Sequence, residues 1–270
     1  MLSLKSIIKS LSILIVILTV LAFWSEKYDQ AFNEDYLDGT ASYRSGSCNV
    51  ASIKIRGSLD TYTISGEEDT TSSENIVAAI DQAEQNDSIK AILLDIDSIG
   101  GYPVAGEEIA NAIKRAQKPT VAVIRQSGTS AAYWTASSTK RIFASSLSDI
   151  GAIGVTMSYL DNTAKNEKEG LTYNEVSSGR FKDAGDPNKL LAPEERAIFE
   201  RDVKIMHEKF ISAVATNRSL DTEKVRTLAD GSIMLGDAAL ANGLIDEIGG
   251  IFEAREYLRG IIGEDAAVCK

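Results

Sequence analysis

From Asn49 onward the chain alternates short unbroken apolar runs with stretches in which apolar residues recur every three or four positions. Unbroken runs of about five residues bounded by polar or turn residues mark buried strands, whereas the 3.6-residue recurrence marks helices with one inward face. On that basis Val50 to Ile55 is a strand, Glu67 to Ser73 a polar loop, and Asn75 to Gln85 a helix turning Ile76, Val77, Ile80 and Ala83 inward. Ala91 to Ile96 is a second buried strand, Gly106 to Arg115 a second helix, and Thr120 to Ile124 a third strand after Pro119. A turn over Arg125 to Thr129 then leads into an alanine-rich helix, Ser130 to Ser138, and a long amphipathic helix follows with Phe199, Val203, Met206, Phe210 and Val214 on one face. Strand-helix-strand-helix-strand order predicts an α/β protein with parallel strands joined by helical crossovers.

Two segments precede this body. Ile7 to Trp24 is an apolar run interrupted only by Lys9 and small hydroxyl residues, about the length a helix needs to cross a bilayer. Lys5 and Lys9 lie at its start, and Glu26, Asp29, Glu34, Asp35 and Asp38 follow its end, which puts the N-terminus on the cytoplasmic side and the body outside. Phe23-Trp24 suits a membrane interface better than a cleavage site, so residues 1–24 are expected to be an uncleaved single-pass membrane anchor. Residues 25–48 are polar and acidic and predict a linker, leaving 49–270 as the folded domain.

Composition narrows the partners. A net charge of -11 and an isoelectric point near 4.7, with no basic patch, exclude a nucleic-acid partner. The two cysteines, Cys48 and Cys269, have no zinc-site spacing, so no metal is expected. An exported pair could form a disulfide tying tail to body; the sequence leaves the pairing open.

Candidate chemistry centres on a serine. Ser130 follows Gly128-Thr129 where a strand gives way to a helix, the end of an open α/β sheet at which ligands collect. As a plain reading it is a helix N-cap. As a nucleophile it needs a base, and the single histidine, His207, falls inside the long amphipathic helix as a surface or boundary residue. That leaves lysine, and Lys182 lies 52 positions on in Ser178-Gly179-Arg180-Phe181-Lys182-Asp183, a segment otherwise read as a solvated loop. Gly100-Gly101, just past the second strand, let the backbone come close to a substrate and aim an amide at a developing oxyanion.

In this order and spacing, these motifs resemble the signal peptide peptidase A family of serine-lysine proteases, from about Asn49 to Gly250. The resemblance includes Ser130-Ala131-Ala132-Tyr133-Trp134, Lys140 to Ala144, Gly151-Ala152-Ile153-Gly154-Val155, the Lys182 segment, Glu194-Glu195-Arg196, Ala229-Asp230-Gly231 and Gly243 to Gly250. It implies Ser130 as nucleophile, Lys182 as general base, and an oxyanion hole at Gly101 and Gly100. It also implies a crotonase- and Clp-protease-like superhelix of strand-strand-helix units, no cofactor, and a homo-oligomeric ring in which the lysine of one subunit can serve the serine of its neighbour. Cleaved signal peptides are the implied substrates, with Tyr102 and Tyr133, beside Trp134, expected to wall an apolar substrate groove. The chain departs from the family at Ile99, where a proline is usual, at Ala131 and Ala132, where glycines are usual, and at Ala152, where a serine contacts the lysine. A coenzyme A-thioester enzyme of the same fold, or an inactive membrane-organising scaffold, are the alternatives.

Overall fold

The computed structural model describes residues 48–63 and 70–269. The expected membrane anchor and nearly all of the polar linker lie outside these residues; among the described residues no helix is long and apolar enough to cross a membrane.

The body is a twisted sheet of eight strands among the described residues: β1 (Val50–Asp60), β2 (Thr70–Ser72), β3 (Ala91–Gly101), β4 (Thr120–Thr129), β5 (Arg141–Ala144), β6 (Asp149–Gly151), β7 (Ile233–Leu235) and β8 (Glu247–Ile248). Its main path runs β2-β1-β3-β4-β5-β8, with β6 pairing the end of β4. Every pairing is parallel except β6 with β7. Helices α1 (Ser73–Gln85), α2 (Pro103–Arg115) and α3 (Ala131–Ser137) make the crossovers, as the alternating pattern predicted.

Two differences from the sequence reading concern the site. The polar stretch before the first helix includes a short strand, β2, at the sheet edge. Arg125 to Thr129 is not a turn: β4 continues to Thr129 because Ser127, Gly128 and Thr129 pair with Asp149, Ile150 and Gly151. A serine-glycine pair has weak strand propensity, so the pairing partner decides its state.

Of the remaining helices, α5 (Pro193–Arg218) is the longest; α4 (Thr163–Lys168), α6 (Thr222–Leu228), α7 (Gly236–Asn242) and α8 (Ile251–Ile262) complete the set. One sheet face packs against α1, α2, α3 and α5 in a core that includes Ile55, Leu94, Ile109, Tyr133, Phe210 and Val214. The opposite face buries Leu93, Val121 and Phe143 against Ala254 and Leu258 of α8. Such apolar burial, at about 25 cal/mol per Å², dominates the stability of the scaffold.

The two ends of the described domain meet beside the first strand. Val50 bridges Val268, the amide of Cys269 donates to the Val50 carbonyl at 2.8 Å, and Cys48 and Cys269 form a disulfide. The pairing left open by the sequence is therefore made, because the tail returns to run beside β1.

Candidate active site

The strands β3, β4 and β6 end together, at Gly101, Thr129 and Gly151, and their ends border a cleft of about 520 Å³. Ser130 stands in this cleft with φ 53° and ψ -128°, a left-handed backbone conformation unusual for a side chain with a Cβ. The strain, of order 1–3 kcal/mol, is held by the surroundings: the Ser130 amide donates to the Gly151 carbonyl at 2.8 Å, and the Trp134 amide donates to the Ser130 carbonyl at 3.0 Å. The chain thereby passes from strand to helix in a single residue. Although Ser130 occupies the N-cap position of α3, its hydroxyl makes no capping hydrogen bond. The plain reading as a cap does not hold; the hydroxyl is left to the cleft.

Opposite it lies the glycine pair. Gly100 has φ +94°, and a Cβ there would lie 2.7 Å from Ser130 Cβ and 2.8 Å from the Ala131 amide nitrogen. At Gly101 a Cβ would lie 2.2 Å from the Leu59 carbonyl oxygen. A side chain at either position would therefore force the surrounding backbone to move. The two amides differ in availability. That of Gly100 donates to Ser98 Oγ at 3.1 Å. The Tyr102 amide donates to the Leu59 carbonyl at 2.8 Å, towards β1, and since successive amides of a strand point to opposite edges, that of Gly101 faces away from β1. Gly101 lines the cleft. Of the pair, Gly101 turns its amide away from β1 on the cleft side, and Gly100 makes the turn that lets the backbone come close.

The other expected site residues are distributed differently. Lys182 is exposed, on a segment outside the cleft of its own chain. That segment is nonetheless anchored: Lys189 Nζ lies 2.8 Å from Glu195, 3.3 Å from Glu175 and 3.5 Å from Asp183, and the Tyr173 hydroxyl donates to Asp183 at 2.8 Å. The hydrogen bond to Asp183 pushes the Tyr173 phenol up to about 12, and the Lys189 ammonium holds the Glu195 carboxyl below its usual range. Tyr102, at the N-cap of α2, is exposed beside the glycine pair.

Tyr133 requires correction. It is fully buried and its hydroxyl donates to the Leu244 carbonyl at 2.7 Å, so it belongs to the core and presents no surface to a peptide. Burial also drives its phenol well above the usual range. Trp134 is likewise core, stacked on Phe210 with ring centroids 5.1 Å apart.

His207, expected to be a surface or boundary residue, is half-buried and forms part of the cleft wall. It stands one helical turn before Phe210, whose ring meets Trp134, and that spacing from an inward aromatic was the available signal. Its Nε2 is buried without a hydrogen-bond partner among the described residues. The remaining wall is small and mostly uncharged, including Ala152, Gly154, Val155, Ala229 and Gly231, with the Asp230 carboxyl held below its usual range by the Ser232 hydroxyl and amide. Ala152 also has positive φ, at 47°.

Residues 112–260 match the model of peptidase family S49. The chain belongs to that family. Residues 53–146 also match the Clp protease model. The chain is 30% identical to a putative signal peptide peptidase SppA from Enterococcus faecium, over 69% of this chain and 55% of that protein. It is 30% identical to a putative protease from Synechocystis sp. over 80% of this chain and 75% of that protein, and 28% identical to the chloroplastic serine protease SPPA of Arabidopsis thaliana over 80% and 32%. The chain thus spans little more than half the length of the Enterococcus relative. Among solved structures, a ClpP1 mutant from Listeria monocytogenes superposes with a TM-score of 0.50 at 14% identity, covering 75% of this chain and 92% of that one. This likeness establishes the Clp-protease-like α/β fold.

Proposed function

We propose that this S49-family chain is a serine endopeptidase in which Ser130 attacks the scissile carbonyl and Lys182, supplied by a neighbouring copy, takes its proton. The observation that carries the reading is Ser130 itself: strained, uncapped, at the rim of three strand ends and against the glycine pair. Strain of this kind persists where the fold over-determines it, and it exposes the hydroxyl to a substrate. A lysine works as a base only when neutral, and its ordinary pKa of about 10.4 makes that rare in water. Exposed on its own chain, Lys182 gains the required burial when it enters the cleft of another copy, where desolvation lowers its pKa. It then accepts the Ser130 proton as the tetrahedral intermediate forms, and the Gly101 amide donates to the oxyanion. The ammonium protonates the leaving amine. Water, deprotonated by the same lysine, then releases the acyl group from Ser130.

The wider setting follows the same reading: a membrane-anchored ring, with the body outside the cytoplasm, degrading remnant signal peptides and similar apolar peptides. The small, largely uncharged cleft wall suits such peptides, and Tyr102, exposed between the cleft-lining Gly101 and Pro103, adds apolar surface beside it. The disulfide is compatible with an oxidising compartment.

His207 supports one other reading, a serine-histidine pair within one chain, because it shares the cleft with Ser130. Mixing separates the two. Ser130→Ala and Lys182→Ala are each expected to be inactive alone and to regain activity when co-assembled, while His207→Ala stays within about tenfold of wild type, less than the loss of a general base. Loss of activity in His207→Ala with Lys182→Ala active would establish the histidine instead. A mixture of the first two that stays inactive, although the variants assemble together, would refute a lysine supplied from a neighbour.

A further inference from the structure

The peptide unit joining Ile99 to Gly100 is gripped at both ends by buried hydroxyls. The Thr129 hydroxyl donates to the Ile99 carbonyl at 3.1 Å, and the Gly100 amide donates to Ser98 Oγ at 3.1 Å. The Ser98 hydroxyl in turn donates to the Gly57 carbonyl at 2.6 Å. Ser98 and Thr129 are 1% and 4% exposed, so neither hydroxyl exchanges readily with water. The arrangement falls where β3 is irregular on both sides: its register shifts against β1 between Gly57 and Ser58, and against β4 between Ile96 and Ser98. Such irregularities leave backbone groups unpaired and re-aim the chain. Here two side chains take up the unpaired groups.

A peptide plane followed by glycine rotates easily, because glycine accepts the φ change that the rotation demands. Rotating this one would carry the Gly100 amide to the side that the Gly101 amide faces, as a competing donor, and the Ile99 carbonyl to the other. We infer that Ser98 and Thr129 are positioning residues of the peptidase, a hydroxyl clamp that locks this plane so that Gly101, and not Gly100, meets the oxyanion. The inference rests on Ser130 being the nucleophile. Thr129 is adjacent to Ser130, so one residue ties the aim of the donor to the placement of the attacking oxygen. Ser127 Oγ, 3.3 Å from Thr129 Oγ1, extends the chain of hydroxyls, and its amide donates to Asp97 at 3.1 Å.

The test is steady-state kinetics on a fluorogenic peptide with Ser98→Ala, Thr129→Val, Thr129→Ser and Ser130→Ala, alongside thermal melting. Thr139→Val serves as a stability control, since Thr139 is buried and its hydroxyl donates to the Ala136 carbonyl at 2.8 Å, outside the cleft lining. Loss of a correctly aimed oxyanion donor lowers kcat and leaves substrate binding alone. Ser98→Ala and Thr129→Val are therefore expected to lose roughly 10- to 100-fold in kcat with KM within about twofold, on the scale set by misplaced catalytic groups. Thr129→Ser restores most of the rate, and Thr139→Val melts lower without that loss. Wild-type kcat in Ser98→Ala and Thr129→Val, or losses that merely track melting temperature as in Thr139→Val, would overturn the clamp. If Thr129→Val does not fold, Ser98→Ala decides by the same split. Activity retained in Ser130→Ala would overturn the nucleophile itself; loss there beside wild-type rates in the clamp variants overturns only the clamp.

Discussion

Replacing Gly100 by alanine perturbs the candidate site through one methyl group. The residue has φ +94°, and the new Cβ would lie 2.7 Å from Ser130 Cβ and 2.8 Å from both the Ala131 nitrogen and the Thr129 carbonyl oxygen. A side chain in that backbone region costs about 1–2 kcal/mol. Relieving contacts from 2.7 Å to an ordinary separation of about 3.5–4.0 Å requires a shift near 1 Å. Overpacking of this size costs about 1–3 kcal/mol more. The combined loss of about 2–5 kcal/mol lowers the melting temperature by about 2–4 °C per kcal/mol in a domain of this size. Activity is expected to fall further than stability accounts for, because a 1 Å displacement between nucleophile and oxyanion donor costs about 100-fold. Gly263→Ala supplies the comparison: Gly263 also has positive φ, at 77°, yet a Cβ there meets nothing within 4 Å. It should lose only the backbone strain and keep full activity. Peptide-cleavage kinetics and differential scanning fluorimetry on both variants decide the matter. A Gly100→Ala enzyme with wild-type kcat/KM would refute the placement of this glycine against the nucleophile.

Two further outcomes follow from the disulfide and from the lysine-bearing segment. The disulfide closes a loop with a sequence separation of 221 residues, so changing Cys48 and Cys269 to alanine should cost about 2–5 kcal/mol in denaturant unfolding; an unchanged midpoint would show that the link adds nothing. The Glu195 carboxyl sits below its usual range through Lys189 and the Ala192 amide, so its contribution is complete above the ordinary carboxylate pKa and is lost as pH falls through its own lower value. Hydrogen exchange measured from about pH 6 to about pH 3 should show protection around residues 173–189 disappearing before that of β3 and β4; simultaneous loss would place the fastening elsewhere.

Much of this architecture was legible because parallel strands buried on both faces leave unbroken apolar runs, as at Ala91 to Ile96 and Thr120 to Ile124. The placing of Ser130 where a strand gives way to a helix, and of Gly100-Gly101 at the end of a buried strand, was legible because small residues close each apolar run. The continuation of β4 was not, since Ser127 to Thr129 become strand only by pairing with β6, beyond the next helix and strand. Nor was the burial of Tyr133, whose hydroxyl finds its acceptor at Leu244, 111 residues away. His207 enters the cleft because α5 packs across α3 through Phe210 and Trp134, a tertiary crossing that helical periodicity alone does not specify. The cysteines meet because the tail returns to β1, which no local pattern announces.

The most direct test of the central claim is to treat the assembled, full-length protein with a fluorophosphonate and locate the adduct by peptide mass spectrometry in the wild type, Lys182→Ala and His207→Ala. Activation of Ser130 by lysine is expected to give a single adduct on Ser130 that disappears in Lys182→Ala and persists in His207→Ala. An adduct on another residue, or one on Ser130 that survives loss of Lys182 and vanishes with loss of His207, would contradict it.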